Sequence, residues 1–303
     1  TWAALNFGLA FRKGQFGKTV TWIAGKLSFA PTGILGEIKE TIIEDIVSDL
    51  ERFKHMNVLP KKEVRTFVGR TNHAAGLLVS LRPFLHAIWG ALFADSSSPP
   101  NTIWAKQIAH ATSWLRAFFK EDLPGIQRMF SLEEFNGTGP CMELGTDASP
   151  WGLGGWLAID GVITHFFACP VSTEDLEIFG ITRGSCDGQQ TLEGLAILVA
   201  MRIWCNEQSS RKFSLQVRGD NVGALNLLLK MRPSSPQQAI IARELALTVV
   251  HYAFPPRVLH TPGLCHQIAD GLSRFQDPGF MKHSVLQHPA LSNAIRSEVP
   301  ART

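Results

Sequence analysis

The sequence predicts a mixed α/β fold, in which an α+β sheet domain at residues 141–275 follows a mostly helical region. Two observations indicate the sheet: short alternating segments rich in β-branched and aromatic residues begin at Cys141, and the nearly all-apolar segment 191–204 follows them. A third observation concerns residues 31–140, where apolar residues recur at three- and four-residue steps. We therefore expect two regions with different secondary structure.

The elements of the first region are predicted from spacing and breakers. Residues 1–30 contain two β-favouring runs, at 5–11 and 19–23, separated by RKGQFGK, which predicts a hairpin. From 34 to about 59, Ile38, Ile42 and Ile46 begin a helical stripe. Residues 61–94 continue helical spacing, with a break expected at Pro83. A further helix is expected over 102–123, before GTGP marks the boundary with the second region.

The second region has the predicted element order βββαβααβα. Three strands, MELGTD, WGLGGWLAID and VITHFFACP, come first, and the Asp160-Gly161 pair suits a tight hairpin between the last two. A buried helix at 191–204 leads to the strand FSLQVRGDN. Two helices, the short strand PRVLHTPG and the helix HQIADGLSRF complete the domain, and residues 276–303 form a tail.

Composition restricts the setting more than the function. The net charge of +3 is too small to indicate a polyanion partner by itself. The five cysteines are scattered and form no CxxC pair, which favours a reducing intracellular setting, cytoplasmic or nuclear. The apolar stretch 77–94 contains Arg82, Pro83 and His86, so we expect a buried helix there and no membrane partner. The sequence opens without an initiator Met, so we expect a piece of a longer protein.

Four acidic residues are the candidate functional site. Asp147 and Asp220 end predicted strands, Glu193 lies in the first turn of the buried helix, and Asp270 lies on the last helix. Two-metal phosphoryl chemistry needs hard oxygen ligands that hold cations roughly 3.5 to 4 Å apart, and clustered carboxylates provide such ligands. The acids therefore predict a divalent-metal nuclease.

The motifs around these acids resemble the RNase H domain of long-terminal-repeat retrotransposon reverse transcriptases. The resemblance rests on TDAS with WGLGGW, on QTLEGLAI, on RGDN and on HTPGLCHQIADGLSR. The family's last motif reads approximately His-x-Pro-Gly-x-x-Asn-x-x-Ala-Asp-x-Leu-Ser-Arg. This chain matches it from His260 to Arg274, except that His266 replaces the Asn.

The resemblance implies an RNA–DNA hybrid ribonuclease. Asp147, Glu193, Asp220 and Asp270 would hold two Mg²⁺ ions, which Mn²⁺ can replace, for hydrolysis of the RNA strand. His260 would move protons or help to release the product, or it is a loop residue bonded to the backbone. The hybrid would be recognised through 2′-hydroxyls and phosphates. Gln190 and Asn221 are candidates for contacts with it.

Upstream, the resemblance continues to other parts of the polymerase. FGLAF…TVTWIAGKL resembles the end of the palm, and KKEVRTFVGRTNHAAGLLVSLRPFLHAIWGAL resembles the thumb, with a connection region after it. The chain contains no Asp-Asp pair, so we expect no polymerase activity and a partner in the rest of the reverse transcriptase polyprotein. Lys61, Lys62, Arg65 and Arg70 would follow a duplex backbone or form a solvated helix face.

Two alternatives for the function and two for single residues stay open at this point. The same fold cuts DNA in integrases, transposases and resolvases, and a degenerate nucleic-acid-binding remnant of a mobile element would keep the fold without the reaction. A single strand-end Asp is more commonly a turn former or a helix cap than a metal ligand. Trp151 and Trp156 are either packing residues or stacking surfaces for a base, and packing is the commoner role of Trp in a strand.

Overall fold

The computed structural model describes residues 15–22, 25–94, 97–120, 127–136, 138, 141–205, 214–250 and 257–300. The predicted strand at 5–11 lies outside the described residues. No described helix is both long and apolar enough to cross a membrane. All five cysteines are free thiols.

The first region combines helices with a four-stranded antiparallel sheet of order β1-β2-β3-β6 and a two-stranded ribbon, β4-β5. Its strands are β1 (Thr19–Trp22), β2 (Gly25–Ala30), β3 (Gly33–Ile38), β4 (Val58–Pro60), β5 (Thr102–Trp104) and β6 (Gln127–Ser131). Its helices are α1 (Glu40–Lys54), α2 (Lys61–Leu77), α3 (Arg82–Phe93), α4 (Ala109–Lys120) and α5 (Leu132–Asn136). The helices share one core with the second region.

Two element predictions in this region were wrong in part. The helix predicted from residue 34 begins only at Glu40, because Gly33–Ile38 pairs with β2 and β6 instead. The helix predicted from residue 102 begins only at Ala109, after the strand β5. β3 has β6 as a distant partner beside its neighbour β2, and β5 pairs with β4 more than 40 residues earlier, so local apolar spacing does not report these pairings fully. The break predicted at Pro83 is confirmed: α2 ends at Leu77, and Pro83 lies in the first turn of α3.

The second region is built on a six-stranded mixed sheet of order β11-β10-β7-β8-β9-β12. Its strands are β7 (Cys141–Ala148), β8 (Gly152–Ile159), β9 (Val162–Pro170), β10 (Ser214–Gly219), β11 (Arg257–His260) and β12 (Ile295–Arg296). Its helices are α6 (Thr173–Phe179), α7 (Gln189–Trp204), α8 (Val222–Lys230), α9 (Pro236–Val250), α10 (Gln267–Ser273) and α11 (Lys282–Leu286). The mixed α/β fold class is as predicted, with α6 and the elements after residue 276 in addition.

Strand directions follow from the connections. β7, β8 and β9 are antiparallel, and the β8–β9 hairpin turns through Asp160 and Gly161, which both have positive φ, at 49° and 83°. After the helical crossover of α7, β10 lies parallel to β7, and β11 lies parallel to β10. The carboxyl ends of β7 and β10 therefore meet at one edge of the sheet.

The sheet is covered on both faces. On one face, Leu144 and Leu157 belong to the large core, which includes nearly all of α7. This burial explains why the sequence of α7 is apolar on almost every side, and each buried Leu or Ile contributes about 1.5–3 kcal/mol. On the other face, Leu272 of α10 packs with Phe166 and Ala168 of β9 in a second apolar cluster.

The residues after 275, which we expected to be a tail, also pack on the sheet. β12 pairs in parallel with β9, and the backbone N–H of Ser297 donates to the carbonyl of Phe166 at 2.8 Å. The indole N–H of Trp204 donates to the Ser297 hydroxyl at 2.9 Å, which ties this edge to the end of α7. The C-terminal segment therefore covers the β9 edge of the sheet.

Candidate active site

Three carboxylates converge where β7, β10 and α7 meet. Asp147 lies near the end of β7, Asp220 directly follows β10, and Glu193 projects from α7. One oxygen from each lies within 4.8 Å of the other two, and this is the only cluster of possible metal-ligating side chains in the described part of the chain. Asp147 and Glu193 are only 4% and 5% exposed, whereas Asp220 is half-buried at the open side.

Asp147 is held by α10. The Ser273 hydroxyl donates to its Oδ2 at 2.6 Å. Burial, with smaller contributions from the charges of Asp220 and Asp270, raises the pKa of Asp147 to about 7, while the Ser273 bond acts in the opposite direction. The approach of α10 depends on Gly154, the cross-strand partner of Asp147, because a Cβ there would lie 2.3 Å from the backbone N of Ser273.

Glu193 lies deeper in α7 than expected. The helix begins at Gln189, so Glu193 is in its second turn. The amide of Gln189 donates to Glu193 Oε1 at 3.1 Å and also to the Ala148 carbonyl, which joins the start of α7 to the end of β7. Burial, followed by the charge of Asp147, raises the pKa of Glu193 to about 9. The site therefore disfavours three simultaneous negative charges, and a divalent cation would relieve that repulsion.

Asp270 lies at the margin of this cluster. Its carboxylate accepts a 2.8 Å hydrogen bond from Nε of Arg274, and its side chain is 42% exposed. It is not among the three acids that lie within 4.8 Å of one another, although its charge acts on Asp147. Its role as a fourth ligand stays a prediction.

The other predicted contacts lie around the opening. His260 ends β11, is exposed, and its Nε2 donates to the Asp220 carbonyl at 3.1 Å. Asn221 caps α8 by accepting from the Ala224 N–H at 3.0 Å. Gln190 is exposed and lies so close to the backbone of Gly223 that a Cβ there would be 1.9 Å from its Nε2. All three border the acids, and their contact with substrate stays a prediction.

The basic residues of α2 divide into two groups. Arg70 forms ion pairs with Asp45 and Asp49 at 3.4 and 2.7 Å, which gives it a structural role in joining α1 to α2. Lys62 and Arg65 are exposed, and Lys61 is half-buried. Lys61, Lys62 and Arg65 have no acidic partner among the described residues, so their contact with a duplex also stays a prediction.

Trp151 and Trp156 both pack against glycine. The Trp156 indole covers Gly145, its cross-strand partner, where an added Cβ would lie 2.1 Å from the ring. Trp151 lies against Gly184, which has a φ of +82°. Both side chains are half-buried, as the packing alternative expects.

Sequence reasoning missed three supporting residues. Ser273 and Gln189 orient Asp147 and Glu193, as described above. His266 is 3% exposed, and its Nε2 donates at 2.8 Å to the carbonyl of Thr146, the residue before Asp147. A signal existed for His266 and Ser273, because both lie inside the HTPGLCHQIADGLSR motif. Gln189 lies four residues before Glu193, and this spacing places the two side chains on one face of a helix.

The sheet order, the strand directions and the acids at the ends of β7 and β10 define an RNase H-like domain. No family model matches the chain, and no curated protein matches it. Among solved structures, it is similar to LC11-RNase H1, isolated from compost by a metagenomic approach. That match has 15% identity and a TM-score of 0.34, and covers 44% of this chain and 91% of the other. It is also similar to RNase H1 from the halophilic archaeon Halobacterium salinarum NRC-1, with 17% identity and a TM-score of 0.32 over 45% and 96% of the two chains.

A further similarity covers more of the chain. The foamy viral protease-reverse transcriptase in complex with an RNA/DNA hybrid is 11% identical, with a TM-score of 0.29 over 80% of this chain. The match spans 29% of the viral chain. All three TM-scores are below 0.5. The fold assignment therefore rests on the strand order and strand directions of this chain.

Proposed function

We propose that this chain is the ribonuclease H part of a retroelement reverse transcriptase and hydrolyses the RNA strand of RNA–DNA hybrids. The observation that carries the proposal is the convergence of Asp147, Glu193 and Asp220 within 4.8 Å, from two strands and a buried helix. The motif from His260 to Arg274 supports the choice of a hybrid as substrate, since it resembles that family's last motif.

The donor set fits divalent cations of the Mg²⁺ type. All three groups are carboxylates, the hard ligands that Mg²⁺ and Mn²⁺ prefer, and burial raises the pKa of Asp147 and Glu193 because their charges are uncompensated. Asp147, Glu193 and Asp220 would hold the metal, with Asp270 completing the set once its carboxylate leaves Arg274. Bound divalent ions activate water and stabilise the leaving oxygen in phosphodiester hydrolysis.

The protein's own residues position the reacting groups. Ser273 and Gln189 fix the orientation of two carboxylates, which preserves the site geometry before a ligand arrives. The half-buried Asp220 and the exposed His260 mark the side from which a strand can approach. His260 can exchange a proton with the departing product, because it lies at the opening and its ring is held through the Asp220 carbonyl.

We further propose that residues 1–140 are the end of the palm, the thumb and the connection of the same polyprotein. The rest of that polyprotein would then be the natural partner of this chain. The polymerase acids would have to come from that partner, since the chain has no Asp-Asp pair.

The proposal is tested with a hybrid whose RNA strand is end-labelled, incubated with the purified chain and Mg²⁺. We expect RNA cleavage that is abolished by Asp147→Asn and by EDTA. Glu44→Gln is the control, because Glu44 is an exposed residue of α1 outside the acidic cluster, and it should leave cleavage unchanged. Equal cleavage by the Asp147→Asn variant contradicts the proposal.

Two further substrates separate the alternatives. Cleavage of duplex DNA in preference to the hybrid would indicate a DNA nuclease, because 2′-hydroxyl recognition is what distinguishes the two. A protein that neither cleaves any substrate nor binds Mg²⁺ or Mn²⁺ by calorimetry would be a degenerate remnant.

A further inference from the structure

A second site lies where the helical region packs on the sheet domain. A pocket of about 470 Å³ opens between α2, α3 and the end of α8. We call it the basic pocket, and its polar lining consists of Asn72, Arg82, His86, Lys230 and Arg232. Lys230 ends α8, the helix that begins beside the acidic cluster, so the basic pocket is at the opposite end of that helix.

The charge of the basic pocket is unbalanced. No acidic residue lines it, and none of Arg82, Lys230 and Arg232 forms an ion pair within the described ranges of the chain. In contrast, Arg70 on α2 pairs with two aspartates. Burial, and then the nearby charge of Arg232, lowers the pKa of both Arg82 and His86. The cations of the basic pocket therefore repel one another. An anion bound in the pocket would offset this repulsion and favour the charged forms of Arg82 and His86.

The positions of these cations are fixed by the backbone around them. Arg82 donates from Nε to the Ala75 carbonyl at 3.1 Å and from Nη1 to the Lys230 carbonyl at 3.2 Å, so it joins α2 to the end of α8. Met231 is fully buried and has a φ of +49°, an unusual conformation for a residue other than glycine. The buried Met231 separates two exposed cations, Lys230 and Arg232, which both face the pocket.

The walls leave room for more than a single small ion. Gly76 lies in the wall formed by α2, and a Cβ built there would meet no heavy atom within 4 Å. Packing within the described chain therefore does not require glycine at this position, although glycine is a poor helix former. Trp89, half-buried and stacked on Phe93 with ring centroids 5.9 Å apart, supplies an apolar wall beside the cations.

We infer that the basic pocket binds a backbone phosphate of a nucleic-acid strand, with the attached sugar or base against Trp89. The inference rests on the proposed function, because it takes the strand held at the pocket to be part of the hybrid cut at the acidic cluster. The nine residues of α8 span about 14 Å at 1.5 Å per residue. This length corresponds to roughly four steps of 3.4 Å along one strand. A single hybrid can therefore reach from Asp220 to Lys230.

The test measures binding separately from cleavage. Fluorescence anisotropy with a labelled RNA–DNA hybrid is recorded in EDTA over a series of salt concentrations, for the wild type and for Lys230→Ala, Arg232→Ala and the double variant. Lys106→Ala is the matched control, since Lys106 is exposed and does not line the pocket. Gly76→Leu adds a side chain to the wall without removing a charge. Melting temperatures establish that each variant is folded.

We expect the affinity to fall in each single variant and further in the double variant, in which the slope of log K against log salt should decrease by about 1 because one phosphate contact is lost. Gly76→Leu should weaken hybrid binding by filling the pocket, although it removes no charge. Lys106→Ala should have the same affinity and the same salt slope as the wild type. Equal affinity and slope for the double variant and the wild type overturn the inference. Calorimetry with inorganic phosphate gives a second test. If phosphate binds in the pocket while the wild type and the double variant bind the hybrid equally well, the ligand is a free anion and the inference is overturned.

The two proposals fail in different ways. Loss of the salt-slope effect, with RNA cleavage intact, rejects the basic pocket and leaves the proposed function standing. A hybrid that binds through Lys230 and Arg232 but is not cleaved rejects the proposed function and supports the pocket.

Discussion

The hydroxyl of Ser273 donates to the carboxylate of Asp147 at 2.6 Å, although the two residues are 126 positions apart in sequence. The bond joins α10 to the central strand β7 at the point where the acids meet. It also favours the ionised carboxylate against the effect of burial. Ser273 therefore links the packing of α10 to the charge state of the candidate metal ligand.

Ser273→Ala is expected to lower Mg²⁺ affinity or RNA cleavage by roughly 10- to 100-fold, the usual cost of losing a partner of a metal ligand. Because the lost bond had lowered the pKa of Asp147, the acidic limb of the pH–rate profile should also move to higher pH. Cleavage rates across pH and Mg²⁺ concentration measure both effects. Ser284→Ala, which removes only a surface bond to the Met281 carbonyl, is the control. An unchanged profile would show that Asp147 does not depend on this bond.

Stability without metal should fall as pH rises. Burial raises the pKa of Asp147 from 3.8 to about 7 and the pKa of Glu193 from 4.5 to about 9 in the folded protein. The folded state therefore binds more protons between these limits, so the stabilisation present below about pH 4 is lost as pH rises through 7 and 9. Melting in EDTA at pH 5 and pH 8 checks this.

Mg²⁺ should reverse that loss. At pH 8 its addition should raise the melting temperature clearly, and at pH 5, where protons compete for the same oxygens, it should have little effect. Glu193→Gln should raise the EDTA melting temperature at pH 8 and reduce the Mg²⁺ response. A Mg²⁺ response equal at both pH values would argue against binding at the buried acids.

Periodicity and turn chemistry predicted much of the sheet domain. The Asp160-Gly161 hairpin and the buried helix α7 were recognisable because their signals are local: two turn residues, and an apolar run of helical length. The sequence predicted helix for β3 because Ile34, Ile38 and Ile42 also fit a four-residue spacing, and one of its two strand partners, β6, is distant in sequence. The acids could be named from motifs, but the bond from Ser273 to Asp147 and the bond from Gln189 to the Ala148 carbonyl join residues distant in sequence, which no local pattern reports.

Gly154→Ala should destabilise the protein by about 1–3 kcal/mol, as overpacking in a core does. The added Cβ would lie 2.3 and 2.5 Å from backbone atoms of Ser273 and Leu272, so α10 would have to move away from β8. RNA cleavage should fall with stability, because the Ser273 bond to Asp147 would lengthen. Urea unfolding measures the change. Gly69→Ala is the control and should change the free energy of unfolding in the opposite direction. A Cβ at Gly69 meets no heavy atom within 4 Å, so alanine should stabilise α2 by about 1 kcal/mol.

Truncation after Phe275 should lower the melting temperature and promote association. It would remove β12 from the β9 edge and uncover Phe166 and Ala168, which pack with Val285 and Leu291. Light scattering and thermal melting compare the truncated chain with the whole. A monomeric truncated chain of unchanged stability would contradict the structural role of this segment.

The pairing of β12 with β9 also sets a condition on how the domain folds. Ile295 pairs with His165, so the contact closes a loop of 130 residues. This loop contains α7, β10 and α10, which carry Glu193, Asp220 and Asp270. Closing so long a loop carries a large entropic cost and slows folding relative to local hairpins. The β7–β9 meander can form early, whereas the outer edge must wait for the last part of the chain. Synthesis from the N-terminus therefore leaves this edge open until the acidic cluster has been fully translated.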